Sequence, residues 1–288
     1  MKAARPMRSM LQRAPQVALL FVAGCAGAAP NQAKGSAAMP AGEASSAAPA
    51  GAASSPLGPS PIGRMAHIPA TTYRMGSEVG EPDELPVHSV QVAPFDMDLT
   101  EVTVGQYAGC VRAGACAPAG KVVVWPDVTF DDQQLSGGKC NEDRADRQDH
   151  PVNCVSWAMA DAYCRWAGKR LPTEEEWEYA ACGGDCDAAM KSQVGRSGTH
   201  GAEQWPYTAR VASTWPGPFG LYDMAGNVWE WTASAYCPYD HPSCGDKRRV
   251  VRGGSWVMVD YLFVRLTDRS ASDPSTRNTN LGFRCVRP

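Results

Sequence analysis

The apolar positions of this chain are unevenly spaced, and their spacing predicts few long elements. The alternation in Val87-His88-Ser89-Val90-Gln91-Val92 reads as a strand. Helical spacing appears three times. Thr103 followed by Gln106 has the form of a capping box, opening a helix that closes before Gly114. Trp157, Ala160, Tyr163, Cys164 and Ala167 fall on one face of a second helix from about Ser156 to Ala167, stopped by Gly168. Thr173 with Glu176 repeats the box and starts a third helix through Trp177 to Ala181. From Gly195 onward, Gly and Pro interrupt the pattern often enough to predict short strands and loops.

The N-terminal region follows different rules. Lys2, Arg5, Arg8 and Arg13 precede the apolar run Val17 to Ala23, which is too short to span a bilayer, and Val22-Ala23-Gly24-Cys25 places small residues before a cysteine. This is the pattern of a bacterial lipoprotein signal over residues 1–25, with Cys25 lipidated as the mature N-terminus; an ordinary secretory signal cut near Ala26 to Ala29 is the alternative. Both readings place the mature protein outside the cytoplasm, and the first makes it a lipid-anchored cell-envelope protein on the periplasmic or outer-membrane side. Residues 26–63 are Ala, Pro, Gly and Ser with almost no large apolar side chains, so they cannot offset the entropy of ordering and read as a disordered tether. Residues 64–288, about 225 in number, suit one domain. Loss of the signal removes four of the 27 basic residues and none of the 30 acidic ones, so the mature charge moves from −3 to −7. A chain of that balance offers no basic face for nucleic acid.

The stretch Gly220-Leu221-Tyr222-Asp223-Met224-Ala225-Gly226-Asn227-Val228-Trp229-Glu230-Trp231 fits neither period and reads as a tight loop. Asp223 and Glu230 are hard oxygen donors, and the carbonyls near Gly226 and Val228 could turn the same way, as Ca²⁺ requires. The same residues also suit a Trp-lined turn whose acids cap backbone amides, and the pattern alone does not choose.

With Met75-Gly76-Ser77, Glu101-Val102-Thr103, His150-Pro151-Val152, Ala167-Gly168-Lys169-Arg170-Leu171-Pro172-Thr173, Arg252-Gly253-Gly254-Ser255-Trp256 and Leu281-Gly282-Phe283-Arg284, this loop resembles the formylglycine-generating enzyme (sulfatase-modifying factor) family, in family order from about residue 66 to the C-terminus. The resemblance implies an irregular α+β fold, C-type-lectin-like, with low regular secondary structure. It also implies one Ca²⁺ ion on Asp223, Glu230 and the carbonyls of Gly226 and Val228; no second calcium segment is evident between His200 and Phe219.

Eleven cysteines less Cys25 leave ten, an even number in an exported chain, which suits a disulfide framework. Spacing suggests local clips at Cys110–Cys116, Cys182–Cys186 and Cys237–Cys244, with Cys140–Cys154 across the loop between them. Cys164 and Cys285 remain, and the resemblance implies that their contexts form a long-range bridge. Zinc is the competing reading, disfavoured because no cysteine pair has the usual ligand spacing.

In catalytic relatives two cysteines close after the Arg-Gly-Gly-Ser-aromatic motif hold copper(I), whose softness demands thiolates. Here those positions are Met258 and Phe263, and no cysteine lies between Cys244 and Cys285, so no copper is expected. The five histidines form no HExxH or His/carboxylate cluster, Ser255 lacks a nucleophile-elbow setting, and no glycine pair is followed as a phosphate loop requires. Two functions remain. One is a non-catalytic binding or scaffolding lipoprotein, using a groove near Ser255, Trp256 and Arg269 to hold an exported protein, a peptide or a glycan. The other is an oxidoreductase of the family acting on an exported protein with altered chemistry. The missing cysteine pair favours the first.

Overall fold

The computed structural model describes residue 60 and residues 62–194, 207–258 and 264–288; Cys25, Phe263 and most of the signal and tether segments lie outside them. Contacts divide the chain at Ser60–Pro61, and every element below belongs to the second unit.

Short strands form three small sheets. β1 (Met65–Ile68) pairs antiparallel with β4 (Phe95–Asp98), and β9 (Val286–Arg287) closes the far side of β4, so the C-terminus is stitched to the start of the domain. β2 (Thr71–Met75) and β3 (His88–Val92) make a hairpin in the register Thr71↔Val92 to Met75↔His88. β3 is the strand that alternation predicts, with Val92 buried and Ser89 and Gln91 exposed. β2 alternates too, burying Tyr73 and Met75, but two large apolar side chains in five residues gave too little pattern to read. The third sheet runs β7 (Arg269–Ser272), β6 (Arg249–Arg252), β5 (Trp229–Ala235), β8 (Leu281–Gly282), with β5 and β8 parallel.

The three predicted helices form, the first and third with the predicted capping boxes. α1 (Val104–Arg112) opens on a reciprocal Thr103/Gln106 box, α3 (Trp157–Trp166) on Ser156, and α4 (Glu174–Cys182) on a reciprocal Thr173/Glu176 box. Each cap satisfies donors that the first turn would leave orphaned, which sets the start of a short helix. Two further helices carry no legible stripe. α2 (Phe130–Leu135) is held by a Thr129/Asp132 box and buries no residue, and α5 (Cys186–Val194) is fastened to α4 by the Cys182–Cys186 bridge.

The main core packs Trp177, Ala180 and Ala181 of α4 against Met75, Phe95, Met97 and Leu221. All five expected disulfides are present, including Cys164–Cys285 across 121 positions, which ties α3 to the C-terminal segment. This core also encloses cations. Arg252 and Arg284 are completely buried, a state tolerated only with paired charges. Arg252 binds Glu178 and the Thr267 carbonyl, the latter at 2.9 Å, while Glu174 takes Arg269 in a two-bond fork at 2.6 and 2.7 Å.

Candidate functional site

The loop between Leu221 and β5 is shaped by left-handed backbone at Asp223 (φ 58°), Gly226 (φ 109°) and Asn227 (φ 54°). It acts as a hub. Gly226 N donates to Gly253 O (2.8 Å), Trp256 N donates to Asn227 O (2.9 Å), and Asn227 spans from Ala209 N to Glu101 Oε1. Asp223 is buried, and its two oxygens accept Ala212 N at 2.5 Å and Thr214 Oγ1 at 2.7 Å. Burial raises its pKa. Burial, then the charge of Asp223, pushes buried Glu101 well above the usual carboxylate range. Glu101 Oε2 is buried and has no hydrogen-bond partner among the described residues.

Of the expected calcium ligands, Glu230 is already engaged by protein donors. Glu230 lies on β5, 1% exposed, and its carboxylate is taken up by Arg284 Nε at 2.8 and 3.0 Å, Arg284 Nη2 at 2.8 Å and Trp177 Nε1 at 2.8 Å. It is the counter-ion of a buried guanidinium rather than a metal donor. Among the described residues, no three His, Cys, Asp or Glu side chains are grouped as a metal would need. Asp223, the other carboxylate of the expected set with Gly226 and Val228, is likewise bonded to protein donors, which leaves neither acid open to the six to eight oxygen contacts Ca²⁺ prefers.

The turn after β6 carries Ser255 and Trp256, two residues of the expected groove. Gly253 and Gly254 have φ of 96° and 71°, and a Cβ on Gly253 would stand 3.0 Å from the Trp177 ring and 3.1 Å from Met224 O, so this turn tolerates nothing larger. It delivers Ser255, buried, with Oγ 3.3 Å from the donating Asn280 Nδ2. That partner cannot take a proton from Ser255, so no nucleophile is activated here. Asn280 Oδ1 is buried with no partner. Trp256 is half-buried, its Nε1 donating to Thr279 O at 3.3 Å and its ring meeting Tyr207 edge-on at 5.4 Å. Met258 N donates to Ser255 O (3.0 Å), placing a half-buried thioether at the first of the two positions where the family resemblance implies thiolates; the second, Phe263, is outside the described residues.

Arg269 does not join Ser255 and Trp256. It is 4% exposed, forked onto Glu174, bonded to Asp83 O and Cys237 O, and stacked over Tyr236 and Tyr239, so it is a core ion-pair residue. Three groove residues escaped sequence reasoning. Asn280 stands directly before Leu281-Gly282-Phe283-Arg284, which was a usable signal, but nothing local marks Tyr207 or Arg147.

An open cleft of about 780 Å³ is lined by Thr103, Gln106, Gln148, Asp149, His150 and Arg210. His150 Nδ1 lies 3.1 Å from Thr208 Oγ1, and burial, with Arg147 second, lowers its pKa. No thiol or hydroxyl nucleophile accompanies it among these six residues, apart from Thr103, whose Oγ1 accepts Gln106 N as a helix cap.

Comparison with known proteins agrees with this architecture. The model of the sulfatase-modifying factor enzyme 1-like domain matches residues 53–288. The chain is 34% identical to a formylglycine-generating enzyme of Streptomyces coelicolor, covering 76% of this chain and 87% of the relative. It is 30% identical to the inactive C-alpha-formylglycine-generating enzyme 2 of Mus musculus, covering 77% and 85%. Among solved structures, PvdO from Pseudomonas aeruginosa superposes with a TM-score of 0.60 at 26% identity, over 77% of this chain and 93% of that one.

Proposed function

The chain belongs to the sulfatase-modifying factor enzyme 1-like family, and from that premise we propose that it is a lipid-anchored cell-envelope protein whose groove holds an extended peptide of an exported protein without oxidising it. The observation that carries the binding half is Asn280 Oδ1, a buried acceptor with no donor, set beside Ser255 at the base of the Trp256 wall. An orphaned buried acceptor costs about 1–3 kcal/mol, which a ligand N–H would recover on binding. A peptide backbone presents such donors at regular intervals.

The non-catalytic half rests on composition at the reacting position. Met258 offers one thioether where copper(I) chemistry uses two thiolates, and no cysteine lies between Cys244 and Cys285 to supply another. A relative of similar length named as inactive shows that the family admits members of this kind. Lys2 to Cys25 supports the lipid anchor, and residues 26–63 give it a tether.

Metal loading tests the reading. After incubation with copper and reductant followed by desalting, the full chain is expected to retain no stoichiometric copper. Retention of one copper per chain, lost in Met258→Leu, would defeat it.

A further inference from the structure

One wall of the groove is charged. Tyr207 sits edge-on against Trp256, and two cations lie over the Tyr207 ring, Lys139 Nζ at 5.3 Å and the Arg147 guanidinium at 5.6 Å from its centre. These side chains come from separate segments, and buried asparagines hold them together. Asn153 Nδ2 donates to both Lys139 O (3.0 Å) and Thr279 O (2.6 Å), and Thr279 O also receives Trp256 Nε1. Arg147 Nη1 donates to Asn141 Oδ1 (2.9 Å), while Asn141 N donates to Asn153 Oδ1 (2.7 Å).

Neither cation is neutralised by a carboxylate among the described ion pairs. Lys139 Nζ donates to the Leu135 carbonyl and Arg147 to a neutral amide. Three neighbouring acids are committed elsewhere: Asp143 to Lys121, Asp146 to Arg144 and Asp149 to Arg210. The fourth, Glu142, accepts the Ala119 amide, and burial raises its pKa. Partial burial, followed by the charge of Arg144, disfavours the charged form of Arg147, while Asp146 and Tyr207 act in the opposite direction. A chain with a net charge of −3 thus keeps, on one aromatic wall, two cations with no carboxylate in ion-pair contact among the described residues.

We infer that the groove selects an acidic peptide segment, its carboxylates meeting Lys139 and Arg147 while its backbone crosses Tyr207 and Trp256 towards the Asn280 acceptor. This rests on the peptide-groove reading and adds charge selection to it. A guanidinium takes a carboxylate in a fork and an ammonium takes one as a point charge; the tyrosine ring holds both heads in place before binding. Such complementarity favours encounter with the matched partner over others and weakens with salt.

The test is fluorescence anisotropy on the full chain with labelled extended peptides of alternating Glu and Gly, and Gln–Gly and Lys–Gly controls, at low and high salt. The Glu peptide is expected to bind on the order of tenfold tighter than the Gln peptide, an advantage lost at high salt. Lys139→Met and Arg147→Met are each expected to weaken the Glu peptide about fivefold and leave the Gln peptide unchanged. Because Arg147 also supports Asn141, the half-exposed Lys139 gives the cleaner variant, and Lys139→Glu is expected to raise the Lys peptide above the Glu peptide. Equal, salt-insensitive binding of all three peptides overturns the charge selection and leaves the groove reading standing. Absence of binding by any peptide to the folded chain overturns both.

Discussion

Removing Glu230 separates the structural role found for this residue from the metal-ligand role its motif suggested. The Glu230 carboxylate faces a completely buried guanidinium through three nitrogen–oxygen contacts of 2.8–3.0 Å and also receives Trp177 Nε1. In Glu230→Ala, Arg284 keeps only the carbonyls of Asp98, Leu99 and Tyr222 as partners, at 3.2, 3.3 and 2.8 Å. Breaking a buried pair on one side costs about 3–5 kcal/mol, and the abandoned indole N–H adds about 1 kcal/mol. For a domain of this size that corresponds to a fall of roughly 8–20 °C in melting temperature. Glu230→Gln keeps one acceptor and should fall between the variant and the wild type. Urea unfolding with disulfides intact, followed by tryptophan fluorescence in excess Ca²⁺ and in chelator, gives the numbers. The ion-pair account predicts the same penalty in both buffers, within about 1 kcal/mol. A penalty that disappears in chelator would restore Glu230 as a calcium ligand and refute the reasoning.

Three other outcomes follow from the same structure. Replacing Cys164 and Cys285 together by Ala should cost about 2.5 kcal/mol more than replacing Cys237 and Cys244, because the first bridge closes 121 positions and the second 7; equal losses in urea unfolding would contradict the chain-entropy basis. Burial, with Glu84 next, pushes Asp268 to about 7 from 3.8, so the folded chain holds an extra proton through that window and stability falls as pH rises from about 4 to 7. Asp268→Asn should therefore resemble wild type near pH 4 and exceed it by roughly 2–4 kcal/mol at pH 8; a pH-independent difference would remove Asp268 from the acidic group around Glu84. Cys25→Ser should release the protein from the membrane fraction or leave it unprocessed, and unchanged partition with unchanged mature mass would exclude lipidation.

The fold was most legible where local chemistry decides it. Thr103, Ser156 and Thr173 start helices because a hydroxyl can satisfy the first-turn amides, and that information sits within four residues. The five disulfides were legible for a related reason: four close within 14 positions, and the fifth was the remainder. What was not legible were the tertiary partners of charged residues. Glu230 and Arg269 carry charges that suggest a ligand or a groove, yet each is consumed by an opposite charge 54 or 95 positions away, on Arg284 or Glu174. α2 was missed because its stabilisation is a cap without a buried face. The Tyr207 wall was missed because its neighbours meet only through Asn141 and Asn153.

The central claim is that the domain keeps the family's groove and lacks its oxidation chemistry. The most direct measurement incubates the full chain with copper, oxygen, reductant and a cysteine-containing sulfatase-type peptide, then weighs the peptide by mass spectrometry. The account predicts an unchanged mass, with the cysteine sulfur retained. Loss of that sulfur to give formylglycine, at a rate above a metal-free control, would contradict it.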